Sequence, residues 1–419
     1  MKKIAILLAV AILLCTIPLS GCNEAKPSGT LKIVAVGTFS CEFVKYLNYY
    51  GEHYPDVTIE IIEDDHDHEH DHDNDEDCDE DEPGFYDETL ASLRDGNMNA
   101  DLIILDTFFM ADFVDNGLLT DLNGTTIGEM LDNQELLDGV RRLCEYGDYL
   151  AGVPITIHYN GFAVNRVLLD KLGLDMPSMD WTYTDYYNIA QRISQSSENK
   201  YLIMPDRDEG TYINPLYGFD AANGSEPRFS TTGFIDYLRM GKEITDMGVF
   251  YVPGHFDYAS FEELMDTRYG ENILFTNILY SELHEYERAK FKDMEILPLP
   301  GIAGSSPYFG GTLMCLSSRP ENRAAAEHFM LMFLSEEYQY ENAFEMQIYR
   351  DKSKYTIMGA YSQSVTDWIV YCTVNYRAIV MPDEKWRWLG SVELPQGAAV
   401  DIDFVSWAED IQKEAEMLT

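Results

Sequence analysis

Basic residues are scarce in this chain: 29 Lys and Arg among 419 residues face 73 Asp and Glu, giving a formal net charge of −44 and a pI near 4.3. Such a surface repels phosphate backbones and anionic headgroups, which excludes nucleic acid as a partner and polybasic attachment to membranes. Cysteine is also sparse. The seven Cys are scattered at long spacings with no C-x-x-C pair, so neither a disulfide framework nor a thiolate metal or redox site is indicated. No Gly-x-x-x-x-Gly-Lys-Ser/Thr loop is present, so the chain carries no nucleotide-driven energy source of its own. Long apolar runs are lacking beyond the first twenty residues, which leaves one amino-terminal segment able to meet a bilayer. What is abundant is core material: 46% hydrophobic and 13% aromatic residues exclude global disorder, and the length allows two or three domains of about 100–200 residues. The expected partner is a small molecule, a cation or another protein.

Lys2 and Lys3 precede an apolar run from Ile4 to Leu19, too short for a transmembrane helix of about 20 residues and suited to a secretory signal. The run ends in Leu19-Ser20-Gly21-Cys22, which resembles the lipobox of bacterial lipoproteins. That resemblance implies cleavage after residue 21, diacylation of Cys22, and a linker over residues 22–30. It also implies a chain held at the cell membrane on its extracellular face, periplasmic where an outer membrane exists, with the lipid as its only membrane contact. Cys41, Cys78, Cys144, Cys315 and Cys372 remain, in states the sequence leaves open.

Leu31–Val36 and Thr58–Ile62 read as strands, with Phe43, Val44, Leu47 and Tyr50 at helical spacing between them and Gly51 as the stop. Tyr86, Leu90 and Leu93 give a second helix ending at Gly96, and Asp101–Asp106 a third strand. Strand–helix alternation of this kind predicts parallel βαβ units in an α/β fold. Glu63–Glu82 interrupts the pattern with 14 acids, four His, one Asn and one Cys. No core forms from such residues. His66, His68, His70 and His72 alternate with carboxylates, a donor set suited to weak, exchangeable binding of a divalent cation such as Zn²⁺, and equally to a solvated charge run. The Asp73, Asp75, Asp77 series fails as a calcium loop because Cys78 stands where the turn needs Gly.

Past residue 86 the chain resembles extracellular solute-binding proteins of ATP-binding-cassette importers, of the carbohydrate type. The resemblance rests on Leu90–Gly96, Ala100–Asp106, Asn116–Leu122, Tyr149–Pro154, Asn165, Leu172–Pro177 with Trp181, Ile296–Pro300, Gly310-Gly311 and Ser317–Phe329. It implies a two-lobe, periplasmic-binding-protein-like class II fold with an interlobe ligand cleft. One lobe would take residues 31–157 plus about 300–340, the other about 158–299 plus 341–419, with crossings near Thr156–Asn160 and Pro298–Gly304. It further implies a monomer without a required cofactor, capture of a small polar solute by hinge closure, and delivery to a permease.

Pro320 and Glu321 suit a first helical turn, with Ala326, Phe329, Met330, Phe333 and Leu334 as its apolar stripe. Loops at the carboxyl ends of parallel strands are where ligands meet such sheets. Together with the implied crossings, that rule selects Thr38, Phe39, Asp106, Thr107, Phe108, His158, Tyr159, Asn160, Tyr308, Phe309, Gly310 and Gly311. Trp181, Tyr217, Trp386 and Trp388 are aromatic platforms if the solute is a sugar. Two alternatives stay open: a Zn²⁺-binding lipoprotein acting through the histidine tract, and an enzyme similar to thiamine-degrading proteins of the same fold. For the latter, Cys41 and Cys144 are the nearest nucleophile candidates and no base partner is identified.

Overall fold

The computed structural model describes residues 26–36, 41–62, 85–137, 139–196, 201–204, 218–220, 226–250, 272–279, 295–305, 309–342, 348–351, 354, 363–375, 380, 383–392 and 403–418. Eight strands form one continuous sheet: β1 (Gly29–Ala35), β2 (Val57–Ile62), β3 (Leu102–Asp106), β4 (Val153–Val164), β5 (Tyr201–Met204), β6 (Ile273–Leu279), β7 (Glu295–Pro298) and β8 (Phe309–Leu316). Their order is β2-β1-β3-β8-β4-β6-β5, with β7 also on β4. β1 is parallel to both β2 and β3, as the alternating pattern predicts, whereas β8 runs antiparallel to β3 and β4.

The helices that matter below are α1 (Cys41–His53), α2 (Phe85–Asp95), α3 (Tyr183–Ser194), α4 (Thr232–Asp246), α5 (Arg323–Leu334), α6 (Gln363–Asn375), α7 (Asp383–Ser391) and α8 (Phe404–Met417). α1 continues two residues beyond the expected stop at Gly51. Its buried stripe is Phe43, Tyr46 and Tyr50, while Val44 is exposed. The reason is the neighbour: the Tyr46 hydroxyl donates to the Phe329 carbonyl of α5, and both Tyr46 and Tyr50 meet the Phe329 ring edge-on at 4.6 Å. α2 ends as expected, with Gly96 at φ +75°, a conformation that glycine adopts without strain.

α5 starts later than Pro320 and Glu321 suggest. Asn322 takes the N-cap, its side-chain oxygen accepting from the Ala325 amide, so helical bonding begins at Arg323. The stripe itself is as read: Ala326, Phe329, Met330, Phe333 and Leu334 are all fully buried.

Two apolar cores result. The first lies around β1, β3, β8, α1 and α5; the second gathers Phe162, Phe275, Tyr186, Phe234 and Tyr237 from β4, β6, α3 and α4, with Trp181 just before α3. α3 is fixed at its start by a capping box between Thr182 and Asp185. The carboxyl-terminal part is shared: Ile348, Tyr349, Val365, Trp368, Ile369 and Cys372 join the first core, whereas Leu389, Ile411 and Ala415 join the second.

Asp101, at the foot of β3, is buried and ties three segments. Its carboxylate accepts the Lys32 amide of β1 at 2.9 Å and the Asn322 amide at 2.6 Å, and its carbonyl accepts from the Ser317 amide at 3.0 Å. Asp101→Ala strands two amides without acceptors, and the expected loss is about 3 kcal/mol, to be read from urea unfolding midpoints.

Candidate functional site

β4 is the junction. Its residues 153–159 pair with β8, and residues 160–164 pair with β6, with β7 on 161–164. One strand therefore belongs to both halves, and the change of partner falls at Tyr159–Asn160. β3 ends beside this junction, so Asp106, Thr107 and Phe108 are delivered to it by the strand–turn geometry, with Thr107–Phe109 forming a single 3₁₀ turn.

Asp106, Thr312 and Thr156 lie side by side across β3, β8 and β4. The Thr312 hydroxyl donates to Asp106 Oδ1 at 2.8 Å, and the Gly311 amide donates to Thr107 Oγ1 at 3.2 Å. These bonds fix the acidic side chain and the turn that follows it. Gly310 has no side chain for a physical reason: a Cβ there would sit 2.7 Å from Phe108 Cζ, so the aromatic ring lies against bare backbone.

Three polar atoms at the junction are unmet. Thr156 Oγ1, Asn160 Oδ1 and Asn277 Oδ1 are buried and have no hydrogen-bond partner among the described residues. Thr156 and Asn160 share a face of β4 by its two-residue period, and Asn277 lies near the carboxyl end of β6, where Leu279 is opposite Asn160. Buried polar groups without partners cost about 1–3 kcal/mol each; others such as Thr89 Oγ1 and Gln339 Oε1 lie away from the junction, whereas these three share the stretch where the two halves meet.

α7 closes one side. Leu389 belongs to the second core, and Trp388 meets Phe229 edge-on at 5.9 Å while its Nε1 donates to Glu414 at 3.2 Å. Arg387 reaches Asp87 of α2 at 2.7 Å, and the helix packs against the Thr107–Phe109 turn. Lys385 on this helix is only 8% exposed and has no hydrogen bond or ion pair among the described residues; burial lowers its pKa.

Of the residues selected from sequence, the fold thus brings together Asp106, Thr107, Phe108, Asn160, Gly310 and Gly311. The backbones of His158 and Tyr159 stand opposite Gly310 and Phe309, while the side chains of His158, Tyr159, Phe309 and Trp386 lie outside the described residues. Trp181 is a correction. At 2% exposure it sits inside the second core, its Nε1 donating to the Pro298 carbonyl at 2.7 Å, because an indole with one donor can be buried once that donor is met. Thr38, Phe39, Tyr217, Tyr308, His66, His68, His70, His72 and Cys22 lie outside the described residues. Sequence reasoning missed Thr156, Thr312 and Asn277. Strand register, which pairs them with residues 115 to 206 positions away, is what selects them.

Among the described residues, no group of three or more His, Cys, Asp and Glu is positioned to hold a metal, and no helix is long and apolar enough to cross a membrane. Cys144, Cys315 and Cys372 are buried free thiols. Burial pushes the Cys144 thiol well up, with Cys315 and Glu145 adding and Arg141 opposing, and burial alone pushes up Cys315. Cys144 is therefore a core thiol and not a nucleophile, since the thiolate is the reactive form. The expected outcome with a water-soluble thiol reagent is no labelling of these three cysteines in native buffer and full labelling in denaturant, mapped by peptide mass spectrometry.

Comparison with known proteins agrees with this architecture. A search of curated proteins returned no match. Among solved structures, an ABC substrate-binding protein from Listeria monocytogenes in complex with cycloalternan is similar at TM-score 0.61 and 15% identity, over 93% of this chain and 98% of that one. Maltose-bound MalE3 of T. maritima gives 0.58 and 17%, over 93% and 100%. A solute-binding protein from Agrobacterium radiobacter K84 in complex with ribitol gives 0.61 and 16%, over 94% and 100%. These likenesses show the two-lobe binding-protein fold. The family profile described as bacterial extracellular solute-binding protein matches residues 80–340, more than half of the sequence, and the chain belongs to that family.

Proposed function

We propose that the protein captures a sugar or oligosaccharide outside the cytoplasm by closing its two halves around it, and hands it to an ABC permease. The family is one of binding proteins for transport, not of enzymes, and its members are extracellular. The observation that carries the sugar reading is the row of unmet polar atoms, Thr156 Oγ1, Asn160 Oδ1 and Asn277 Oδ1, beside the fixed Asp106 carboxylate. A polyol offers many hydroxyl donors at close spacing, and the Phe108 ring against Gly310 offers a face for its C–H surface. Cycloalternan, maltose and ribitol in the compared structures are the same chemistry.

On this reading Asp106, Thr107, Phe108, Asn160 and Gly311 contact the solute, joined by Thr156 and Asn277, and the lobes part at Tyr159–Asn160. A diacylated Cys22 tethers a monomer to the membrane through residues 22–30. Glu63–Glu82 is accessory, loading divalent metal weakly without sharing in the cleft.

Neutral sugars and oligosaccharides titrated against the chain lacking residues 1–21 test the reading. A binding sugar raises Tm with the logarithm of its concentration and reduces the radius of gyration in solution scattering. Asp106→Ala is expected to weaken binding about 10- to 100-fold, equal to about 1.5–3 kcal/mol for a hydrogen bond to a charged group. A cleft that ignores every sugar refutes the proposal. Deleting Asp64–Asp81 is expected to abolish Zn²⁺ uptake in calorimetry and to leave the sugar Kd unchanged.

A further inference from the structure

We propose that Arg387 of α7 and Asp87 of α2 form a clasp between the two halves, made when the protein closes and broken when it opens. The inference rests on the closing motion proposed above and adds two positioning residues, which act on solute affinity without touching the solute.

Each partner is anchored in a different half. α2 lies on the first core through Tyr86, Leu90 and Leu93; the Tyr86 hydroxyl donates to Asp112 at 2.9 Å and its ring stacks on Phe109 at 4.3 Å. The turn of α2 that carries Asp87 is therefore fixed beside Thr107–Phe109. α7 is held by the other half: Leu389 is in the second core, Trp388 meets Phe229 edge-on at 5.9 Å, and the Trp388 Nε1 donates to Glu414 of α8 at 3.2 Å. Arg387, the residue before that tryptophan, donates from Nη2 to Asp87 Oδ2 at 2.7 Å, across 300 residues of sequence. α7 also packs against the Thr107–Phe109 turn, which carries two of the proposed solute contacts. The clasp thus lies at the edge of the proposed site and joins halves that otherwise share β4.

The pair suits a contact that is made and broken. Its side chains stay 61% and 37% exposed, so parting them returns both charges to water at little cost, whereas parting a buried pair would leave an uncompensated charge behind. Asp101 is the contrast: it is buried, with its carboxylate committed to two backbone amides, and it locks segments permanently. Asp87 sits in the first turn of α2, where the helix dipole favours a carboxylate whether or not Arg387 is present. A contact found only in the closed form adds its whole free energy to the closing equilibrium, and the apparent affinity for a solute held by that form rises by the same factor. For an exposed Arg–carboxylate pair the factor is about 1.5 to 5.

Two experiments on the chain lacking residues 1–21 test the clasp. In the first, Cys22, Cys41 and Cys78 are changed to Ser, the three buried thiols are left in place, and Asp87→Cys and Arg387→Cys are introduced. A reductant-cleavable bis-methanethiosulfonate as long as an arginine side chain then joins the two new thiols without any sugar. The expected product has a smaller radius of gyration in solution scattering than the same protein after reductant. No cross-link, or equal radii before and after cleavage, overturns the proposal, because the residues then either never meet or never part. In the second, maltose, maltotriose and ribitol are titrated by calorimetry against Arg387→Gln, Asp87→Asn and the double variant. Each single variant should weaken the sugar that binds about 1.5- to 5-fold, and the double variant should weaken it no further than either single. The parent should lose its advantage in 1 M NaCl, where the Debye length is about 3 Å. Ligand-free Tm should be unchanged in all three variants. Singles that bind as the parent does, or losses that add in the double variant, overturn the proposal. A ligand-free Tm lowered in both singles overturns it too, because it marks the pair as a structural tie present in the open form. A compact cross-linked form combined with no response to any sugar removes the sugar reading and leaves the clasp standing.

Discussion

One strand with two sets of hydrogen-bonding partners organises this molecule. β4 needs partners along all twelve residues, because a buried backbone group without one is costly, and it finds β8 for its first part and β6 with β7 for its second. Neither core can form without its share of the strand: Val153 and Ile155 are buried in the first, Phe162 and Val164 in the second. The two halves are therefore joined by backbone that is rigid within each half. On the proposed closing motion, the change of partners at Tyr159–Asn160 is the natural place for β4 to bend. The unmet side-chain oxygens of Thr156 and Asn160 lie within four residues of that point.

Much of the first half was legible in the sequence because its signals are local. Apolar runs such as Leu102–Leu105 and glycine stops such as Gly96 act within a few residues. The strand-end rule placed Asp106, Thr107 and Phe108 at the junction without any contact being known. What escaped were facts of register and long-range packing. Tyr46 rather than Val44 faces inward because Phe329, nearly three hundred residues away, supplies the partner. Thr312 is an unremarkable residue in a strand until pairing sets it beside Asp106. Trp181 invited a binding role because aromatics line many clefts, yet the Pro298 carbonyl satisfies its only donor and leaves it free to be core.

Burial and charge divide the labour between stability and recognition. In the first core two buried phenols are spent on backbone: Tyr46 donates to the Phe329 carbonyl and Tyr349 to the Leu334 carbonyl at 2.8 Å. Asp101 spends its carboxylate on two backbone amides. Such groups lock segments and offer nothing to a guest. At the junction the oxygens of Thr156, Asn160 and Asn277 have no such partner among the described residues. Proteins retain local costs of this kind where function needs them.

An excess of negative charge does not decide which solute is held. At physiological ionic strength the Debye length is about 8 Å, so charges scattered over the exterior are screened before they reach a guest between the lobes. The net charge therefore bears on solubility and on rejecting polyanions at a distance, and the local site decides affinity. Closure follows the same logic. A guest can shift the open–closed balance only through contacts present in the closed form and absent from the open one. On the proposed reading, hydroxyls that meet Asp106 and Thr156 from the first half and Asn277 from the second would supply such contacts, because no single half holds all three.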